Sequence, residues 1–345
     1  MVPKKKRVVW VWLCCCCSNG RGMSLLIDKL LPCNCCCITY HRQSCRHPTT
    51  APVAWDLDQC KTKLAPAITQ ILDDDSESEA ALGKNPQDPV DKKHLKPRGK
   101  YRAICKLFVT FEGALFPTEA TGWCLIENGI VATAGHCVYH KVHGRAIAIE
   151  AHISYHGADS ELRKTHEVRM AADVAVHRGW HGNFSRENDI ALIRLSNPFD
   201  DVLPLKWKPC PIQGERMQIV IAGYPGDIPA GRPGQYMYES KGMIDWDLQQ
   251  DPTLIYRLDT SPGNSGSPVF HVGEDQELVV IGVHVCTEAI ERPVNELRSD
   301  RAGPFIQVNK AIAIGHKGNN FDNLRQYLMS PNKDFGTRGS NSFKV

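Results

Sequence analysis

The residue best placed to act as a nucleophile is Ser265, in the stretch 263–268, which reads Gly-Asn-Ser-Gly-Ser-Pro. A serine between glycines at a tight turn, followed by an apolar strand, holds its hydroxyl clear of the backbone. Gly263 lets the chain turn so that its own N–H and that of Ser265 point at one spot, and such donors stabilise the oxyanion of acyl transfer. Taken alone, the stretch is also typical of a glycine-rich hairpin turn.

A base and an acid for this serine lie upstream. His136 follows the apolar run 129–132, which predicts a buried strand ending in a turn, and Asp189 begins a second predicted strand, 190–195. A serine hydroxyl becomes a good nucleophile when imidazole takes its proton, and a carboxylate holds that imidazole in the right tautomer. The sequence therefore predicts a triad of His136, Asp189 and Ser265.

Other residues compete for these roles. Asp173 is a second acid within an apolar strand, but the Asn-Asp-Ile-Ala-Leu context favours Asp189. His140 and His143 could join His136 as metal ligands, yet no glutamate stands between 136 and 140 as in His-Glu-x-x-His. We therefore expect no metal and no cofactor, and interpret the two further histidines as loop residues.

Three motifs together carry a family resemblance. Thr-Ala-Gly-His-Cys at 133–137, Asp-Ile-Ala-Leu at 189–192 and Gly-Asn-Ser-Gly-Ser-Pro at 263–268 resemble, in order and separation, those of trypsin-like (chymotrypsin-fold) serine proteases. The resemblance covers roughly residues 101–325. It implies a serine endopeptidase that cleaves proteins or peptides through an acyl-enzyme, with its triad in a cleft between two β-barrels.

Short predicted strands, separated by turns rich in Gly, Asn and Asp, fill the chain from residue 101 onward. They lie at 104–111, 122–126, 129–133, 146–155, 169–177, 190–195, 218–224, 235–244, 254–258, 267–272, 278–284 and 305–308. Helical spacing occurs only at 319–329. We predict an all-β fold of two six-stranded antiparallel β-barrels, 101–205 and 206–330, with a C-terminal helix in the second segment and a flexible tail at 331–345.

Asn264, directly before the serine, departs from the pancreatic trypsins, which carry there an aspartate that pairs with a newly cut amino terminus. An amide has no charge to pair, so we do not expect activation by a buried terminal ion pair. The motif around it resembles the glutamyl endopeptidase (V8-like) branch instead. That resemblance implies that Thr260 and His284 contact an acidic P1 side chain. Asp259 stands where trypsins bind arginine or lysine, so a basic P1 preference is the alternative.

The chain has 15 cysteines, nine of them in the first 45 residues. The resemblance implies a disulfide between Cys124 and Cys137 that ties the histidine loop, which would place the protein in an oxidising compartment. Two buried thiols are the alternative. The sequence does not pair the remaining cysteines.

The first hundred residues predict processing rather than a core. Residues 1–20 carry the basic, apolar and small-residue regions of a secretory signal, although they also fit a nuclear address or an acylation site. Residues 21–100 are cysteine-rich and acidic, which predicts a largely disordered propeptide or linker of a secreted zymogen. Lys92-Lys93 and the stretch 98–102 are candidate cleavage sites, or else an exposed basic loop.

Charge and hydropathy exclude other classes of partner. A formal charge of +3, from 41 basic and 38 acidic side chains, is too balanced to indicate nucleic-acid binding. The sequence contains no apolar run of about eighteen residues, so we expect no membrane span. We expect a monomer. Two alternatives stay open: a non-catalytic binding protein of the same fold, and an intracellular or membrane-tethered protein directed by residues 1–45.

Overall fold

The computed structural model describes residues 51–57, 86–125, 129–157, 162–229, 232–248, 251–291 and 304–330. All of them belong to one compact unit, Thr50–Val345. The predicted signal segment 1–20, most of the cysteine-rich segment and the tail 331–345 lie outside the described residues. Neither of the two α-helices in the described part of the chain is long and apolar enough to cross a membrane.

The described residues form fifteen strands and two α-helices, numbered here in chain order. The strands are β1 (Val53–Asp56), β2 (Asp88–Pro89), β3 (Ile104–Phe111), β4 (Thr118–Cys124), β5 (Ile130–Thr133), β6 (Tyr139–His140), β7 (Gly144–Ile153), β8 (Glu167–Val176), β9 (Ala191–Leu195), β10 (Gln213–Gly223), β11 (Tyr238–Asp247), β12 (Thr253–Tyr256), β13 (Pro268–Val272), β14 (Leu278–Glu291) and β15 (Phe305–Ala313). The helices are α1 (Arg178–Asn183) and α2 (Phe321–Leu328).

The first sheet contains a closed barrel. Its strand order is β1-β8-β9-β5-β4-β3-β7-β6, and β8 also pairs with β7, so six of the eight strands form a ring. Each neighbouring pair is antiparallel, and closure leaves the ring strands without exposed edges. Both faces of the central strands are covered, because the consecutive residues Val131 and Ala132 of β5 and Leu192 and Ile193 of β9 are all fully buried.

The second sheet has the order β12-β15-β14-β13-β10-β11-β2, and no pairing among the described residues closes it into a ring. Side chains alternate across a strand, and β10 uses both of its faces. Ile219 and Ile221 belong to the apolar core of this sheet. Val220 and Ala222 belong instead to the larger core that includes the first barrel. The two sheets therefore share a packed apolar boundary, and this fixes the residues that meet there.

The terminal helix closes the structure against the first barrel. The side chain of Asn320 caps α2 by accepting a hydrogen bond from the backbone N–H of Asp322 at 2.8 Å. Phe321, Leu324 and Leu328 are buried at helical spacing. The ring of Phe321 meets that of Trp123 edge-on, with 5.6 Å between centroids, so the helix packs on the barrel that carries the histidine.

The predicted all-β, chymotrypsin-like architecture with a C-terminal helix is confirmed. Three features differ from the sequence prediction in detail. The second group of strands is an open sheet, α1 was not predicted, and β1 and β2 come from the segment before residue 101, where a linker was predicted. β1 pairs with β8, and β2 pairs with β11. The boundaries at 101 and 206 stay predictions.

Candidate active site

Strand register brings His136 and Asp189 to the same end of the first barrel. β5 and β9 are antiparallel, and Thr133 at the end of β5 lies opposite Ala191 at the start of β9. The chain leaving β5 reaches His136 three residues later, and the chain entering β9 passes Asp189 two residues earlier. Two segments far apart in sequence therefore meet at one edge of the barrel.

Asp189 grips the histidine at two points. Its Oδ2 lies 2.7 Å from His136 Nδ1, and its Oδ1 accepts a hydrogen bond of 2.7 Å from the His136 backbone N–H. The carboxylate is almost fully buried, with 1% of its side chain exposed, whereas the imidazole keeps 22% exposed. Short charge-assisted bonds of this kind fix both the position of the ring and its tautomer. The other ring nitrogen, Nε2, is thereby left for chemistry.

The electrostatic surroundings favour the charged imidazole. Burial lowers the pKa of His136, but the negative charge of Asp189, together with the neighbouring Cys137, outweighs burial and raises that pKa well above its usual value. A histidine with a raised pKa is a stronger base, and its protonated form is stabilised at the moment when it takes up a proton.

An indole side chain that the sequence prediction missed supports the histidine loop. Trp180 of α1 is fully buried, and its Nε1–H donates to the carbonyl of Tyr139 at 2.9 Å. Its ring meets that of His136 edge-on at 6.2 Å. A Cβ on Gly135 would lie 2.9 Å from both Asp189 Oδ1 and Trp180 Cδ1. Only glycine leaves room there for the acid and the indole together.

Ser265 lies on a tight turn directly before β13. The Asn264 N–H donates to the carbonyl of Ser261 at 3.0 Å, and the Ser267 N–H donates to the carbonyl of Asn264 at 2.9 Å. Gly266 then connects the turn to β14, because its N–H donates to the carbonyl of His284 at 2.8 Å. The Ser265 hydroxyl is half-buried and makes a long hydrogen bond of 3.4 Å to the carbonyl of Val285. A bond of this length is weak enough for the hydroxyl to leave it for another acceptor.

Thr121 of β4, which the sequence prediction also missed, joins this turn to the histidine barrel. Its N–H donates to the carbonyl of Ser265 at 2.9 Å, and its hydroxyl donates to the carbonyl of Gly263 at 2.8 Å. Its own carbonyl accepts from the hydroxyl of Thr133, three residues before His136, at 2.8 Å. Thr121, a single buried threonine, thus holds the serine turn beside the strand that leads to His136. In the sequence, its position shortly before the His136 motif is the one signal for this role.

Gly263 has the backbone conformation that the sequence required of it. Its φ is +100°, and a Cβ there would lie 2.5 Å from the carbonyl oxygen of Tyr224. Gly266 is similarly confined at φ +87°, with a Cβ position 2.1 Å from the carbonyl oxygen of Thr121. Residues with a Cβ adopt such angles rarely and would clash here. The turn therefore depends on both glycines around the serine.

The predicted disulfide between Cys124 and Cys137 is wrong, because both residues are free buried thiols. Cys124 is the last residue of β4, and burial raises the pKa of its thiol to about 12, which keeps it protonated and unreactive. Cys137 instead interacts with the ring of His136. Cys105 and Cys210 are also free and buried, and Cys286 is buried. The prediction of an oxidising compartment depended on this disulfide and is therefore left without support.

Of the residues assigned to the substrate pocket, His284 lies in the second sheet and Thr260 lies in the connection between β12 and β13. His284 of β14 is fully buried, and its Nδ1 lies 2.6 Å from the hydroxyl of Tyr256. Thr260 is also buried, and its hydroxyl has no hydrogen-bond partner among the described residues. Asp259 is buried beside it, and its carbonyl accepts from the hydroxyl of Ser240 at 2.7 Å.

The competing residues have other surroundings. Asp173 of β8 forms an ion pair with Arg194 on the neighbouring strand β9, so Asp189 is the acid that contacts the histidine. The rings of His140 and His143 both lie against Phe111, with centroids at 5.7 and 6.1 Å. Within the described ranges, no group of three His, Cys, Asp or Glu side chains is arranged to hold a metal ion.

Comparison with known proteins agrees with this arrangement. Residues 120–283 match the family described as a trypsin-like peptidase domain. This segment contains His136, Asp189 and Ser265 together with the Thr121 that joins them. This part of the chain is therefore similar to a trypsin-like peptidase domain.

Within this group, the chain is similar to the glutamyl endopeptidases of Staphylococcus aureus. With the protein of strain MW2 it is 36% identical over 107 residues, which cover 29% of this chain and 30% of the relative. The protein of strain MRSA252 gives the same identity over the same length and is covered to 27%. The matched segment thus spans less than a third of these relatives.

Solved structures of similar shape include proteases as well. A Glu endopeptidase in complex with MPD matches with a TM-score of 0.48 and 21% identity, covering 67% of this chain and 93% of that one. The protease Anisep from Arthrobacter nicotinovorans matches with a TM-score of 0.47 and 17% identity, covering 66% and 92%.

Proposed function

We propose that this chain is a serine endopeptidase that hydrolyses peptide bonds through His136, Asp189 and Ser265. The observation that carries the proposal is the grip of Asp189 on His136, with two contacts of 2.7 Å. A buried carboxylate that fixes both the backbone and the ring of a partly exposed histidine is expected in a catalytic site rather than in a purely structural one. Hydrogen bonds from Thr121 connect the same barrel to the turn that carries the proposed nucleophile, Ser265.

In this mechanism His136 Nε2 takes the proton of Ser265 as the serine oxygen attacks the peptide carbonyl. Asp189 stabilises the imidazolium that forms. The N–H groups of Gly263 and Ser265 stabilise the negative oxygen of the tetrahedral intermediate. His136 then passes its proton to the leaving amine, and a water molecule repeats the sequence to release the acyl group. Every step uses side chains and backbone of this chain.

The test is labelling and hydrolysis by the full chain. We expect a fluorophosphonate probe to label Ser265, and Ser265→Ala and His136→Ala to lower casein hydrolysis by about three orders of magnitude or more. Asp173→Asn, which changes an acid outside the triad, serves as the matched control for a general loss of folding. Full hydrolysis by Ser265→Ala would overturn the assignment of Ser265 as the nucleophile, whereas a folded parent that neither labels nor hydrolyses casein would support a non-catalytic binding protein.

Two features support a preference for acidic P1 residues. The glutamyl endopeptidases that the chain resembles are named for that preference, and the chain has a buried imidazole, His284, and a buried hydroxyl, Thr260, at the positions assigned to the pocket. The hydroxyl of Tyr256 lies 2.6 Å from His284 Nδ1. In the tautomer in which Nδ1 accepts from this hydroxyl, the ring proton is on Nε2, which can then donate to a carboxylate. Such a pair neutralises an acidic side chain that an apolar wall would leave unpaired.

A peptide library tests the preference. We expect cleavage after Glu or Asp in the parent, and a larger loss of kcat/KM for Glu substrates than for others in Thr260→Val. Asp259→Asn is the informative companion variant, because a basic P1 preference would depend on that carboxylate. Cleavage after Lys or Arg that is lost in Asp259→Asn would overturn acidic specificity while leaving the peptidase itself in place.

Secretion is part of the same proposal and depends on residues 1–20, which lie outside the described residues. The free thiols give it no support. A fusion of residues 1–45 to a fluorescent protein tests it directly: accumulation in the medium supports a secretory signal, whereas retention in the nucleus or at a membrane supports one of the alternative addresses.

A further inference from the structure

A short segment before the first barrel lies on the second sheet. β2 pairs with β11 through Tyr238 opposite Pro89, and the Val90 N–H donates to the carbonyl of Met237 at 2.9 Å. Val90 is buried, and Asp91 caps the short 3₁₀ turn that follows. These contacts anchor the backbone directly after Gln87 and so give its side chain a defined direction.

The side-chain amide of Gln87 reaches the turn that carries Ser265. Its Nε2 donates to the hydroxyl of Ser261 at 2.8 Å, and its Oε1 accepts from the Nδ2 of Asn264 at 3.3 Å. Ser261 and Asn264 are themselves almost fully buried. Because Gly263 lies between these two residues, one amide spans the part of the turn that supplies the first oxyanion donor.

Two other bonds fix the orientation of the peptides on either side of Gly263. The Gly226 N–H donates to the carbonyl of Pro262, and the hydroxyl of Thr121 donates to the carbonyl of Gly263. In a trans peptide the C=O and N–H point in opposite directions. A Pro262 carbonyl held by Gly226 therefore turns the Gly263 N–H the other way, and the amide of Gln87 holds the residues on either side.

We propose that Gln87 is a positioning residue for the oxyanion donors, and that the segment 86–91 acts as a strap on the Ser265 turn. The proposal rests on the proposed peptidase function. Asn264 carries no charge, so its partner is a neutral amide from inside the chain rather than a charged terminus. A cut at Lys92-Lys93, one of the sites that the sequence marks for cleavage, would separate this strap from the barrel.

The test compares Gln87→Leu with Asp88→Leu in the full chain. Leucine is close to glutamine in volume but has no hydrogen-bonding group, and Asp88 is the exposed next residue, at the start of β2. For Gln87→Leu we expect a kcat about tenfold lower, with KM and Tm close to the parent, because two hydrogen bonds to a positioned turn are lost. Gln87→Glu can still accept from Asn264 and Ser261 and should recover most of the rate.

A second measurement separates positioning from general stability. Hydrogen exchange should rise in Gln87→Leu for the peptide covering residues 258–268 and stay unchanged in the strands of the first barrel. An unchanged kcat in Gln87→Leu, or an equal loss in Asp88→Leu, would overturn the inference while the peptidase assignment stands. A folded parent that neither hydrolyses substrate nor labels at Ser265 would overturn the peptidase assignment and this role with it.

Discussion

Replacing Asp189 by asparagine is the sharpest perturbation of the proposed mechanism. The substitution keeps the shape of the side chain but removes its charge and puts an NH₂ group where one oxygen accepts from His136. Both contacts of 2.7 Å are affected. An asparagine that donates to Nδ1 would hold the ring in the tautomer whose proton is on Nε2, and that nitrogen could then no longer accept the serine proton.

The size of the effect follows from the distance between the charges. For an imidazolium and a carboxylate whose charge centres lie roughly 4 Å apart, an effective dielectric constant of about 20 gives an attraction of about 4 kcal/mol. Since each 1.36 kcal/mol corresponds to about a tenfold change in rate, losing this attraction lowers kcat about 10³-fold. The wrong tautomer adds to that loss, so we expect a decrease between about 10³- and 10⁴-fold.

The same variant shifts the pH profile in a defined direction. His136 acts as a base only when neutral, and its pKa is raised by Asp189 and Cys137. In the parent, kcat/KM should therefore fall as the pH drops through an apparent pKa above the usual imidazole range. In Asp189→Asn the raising charge is gone, so this acid limb should move to lower pH.

The assay is peptide hydrolysis at several pH values, with kcat normalised by titrating the active sites. Asp173→Asn is the control, because it removes a buried acid paired with Arg194 and should lower Tm without changing the rate per active site. If Asp189→Asn kept its rate within about threefold, less than 1 kcal/mol, and its acid limb did not move, the role of Asp189 would be refuted.

Three further predictions concern the scaffold of the site. Thr121→Val should lower kcat about tenfold, because valine has no hydroxyl to donate to the carbonyl of Gly263. Thr121→Ser keeps the hydroxyl and should keep the kcat of the parent, and steady-state kinetics of both variants test this. Gly223→Ala should lower the free energy of unfolding by about 1–3 kcal/mol, since its Cβ would lie 2.1 Å from the hydroxyl of Ser267. Gly182→Ala, whose Cβ would have no atom within 4 Å, should not destabilise the fold, and denaturant titration compares the two variants. Reducing agent should leave Tm unchanged, because none of the five described cysteines is in a disulfide, and a drop in Tm would contradict this.

The parts of the site that are local in sequence could be predicted. An apolar run ending in Gly-His predicts a strand and a turn, and an antiparallel neighbour beginning near Asp189 then brings acid and base together. The turn around Ser265 is similarly encoded, since only glycine tolerates the angles and close contacts at 263 and 266. Strand β3 was predicted with the limits that it has, because β-branched and apolar residues fill all of its positions except Lys106.

The parts that failed depend on contacts between distant residues. Gln87 and Asn264 are 177 positions apart, and nothing in either neighbourhood indicates the other. Helix α1, which supplies Trp180, has six residues and two glycines, too few and too irregular for helical spacing to show. The disulfide was inferred from resemblance alone, and a thiol's partner depends on where its side chain points, which spacing does not determine.

The neutral bond between Gln87 and Asn264 leads to a last prediction about alkaline pH. Where a charged amino terminus holds the turn before the serine, deprotonation of that amine near its usual pKa of about 8 releases the turn. Here the side-chain amides of Gln87 and Asn264 hold the turn, and neither amide titrates. We therefore expect kcat/KM to stay level through that range once His136 is neutral, measured in the parent and in Gln87→Leu. Lys106 is the nearby buried amine to control for, because burial lowers its pKa, and Lys106→Met distinguishes its titration from that of the turn. An alkaline limb near pH 8 that persists in Lys106→Met would mean that a charged group, not an amide strap, orders the oxyanion donors.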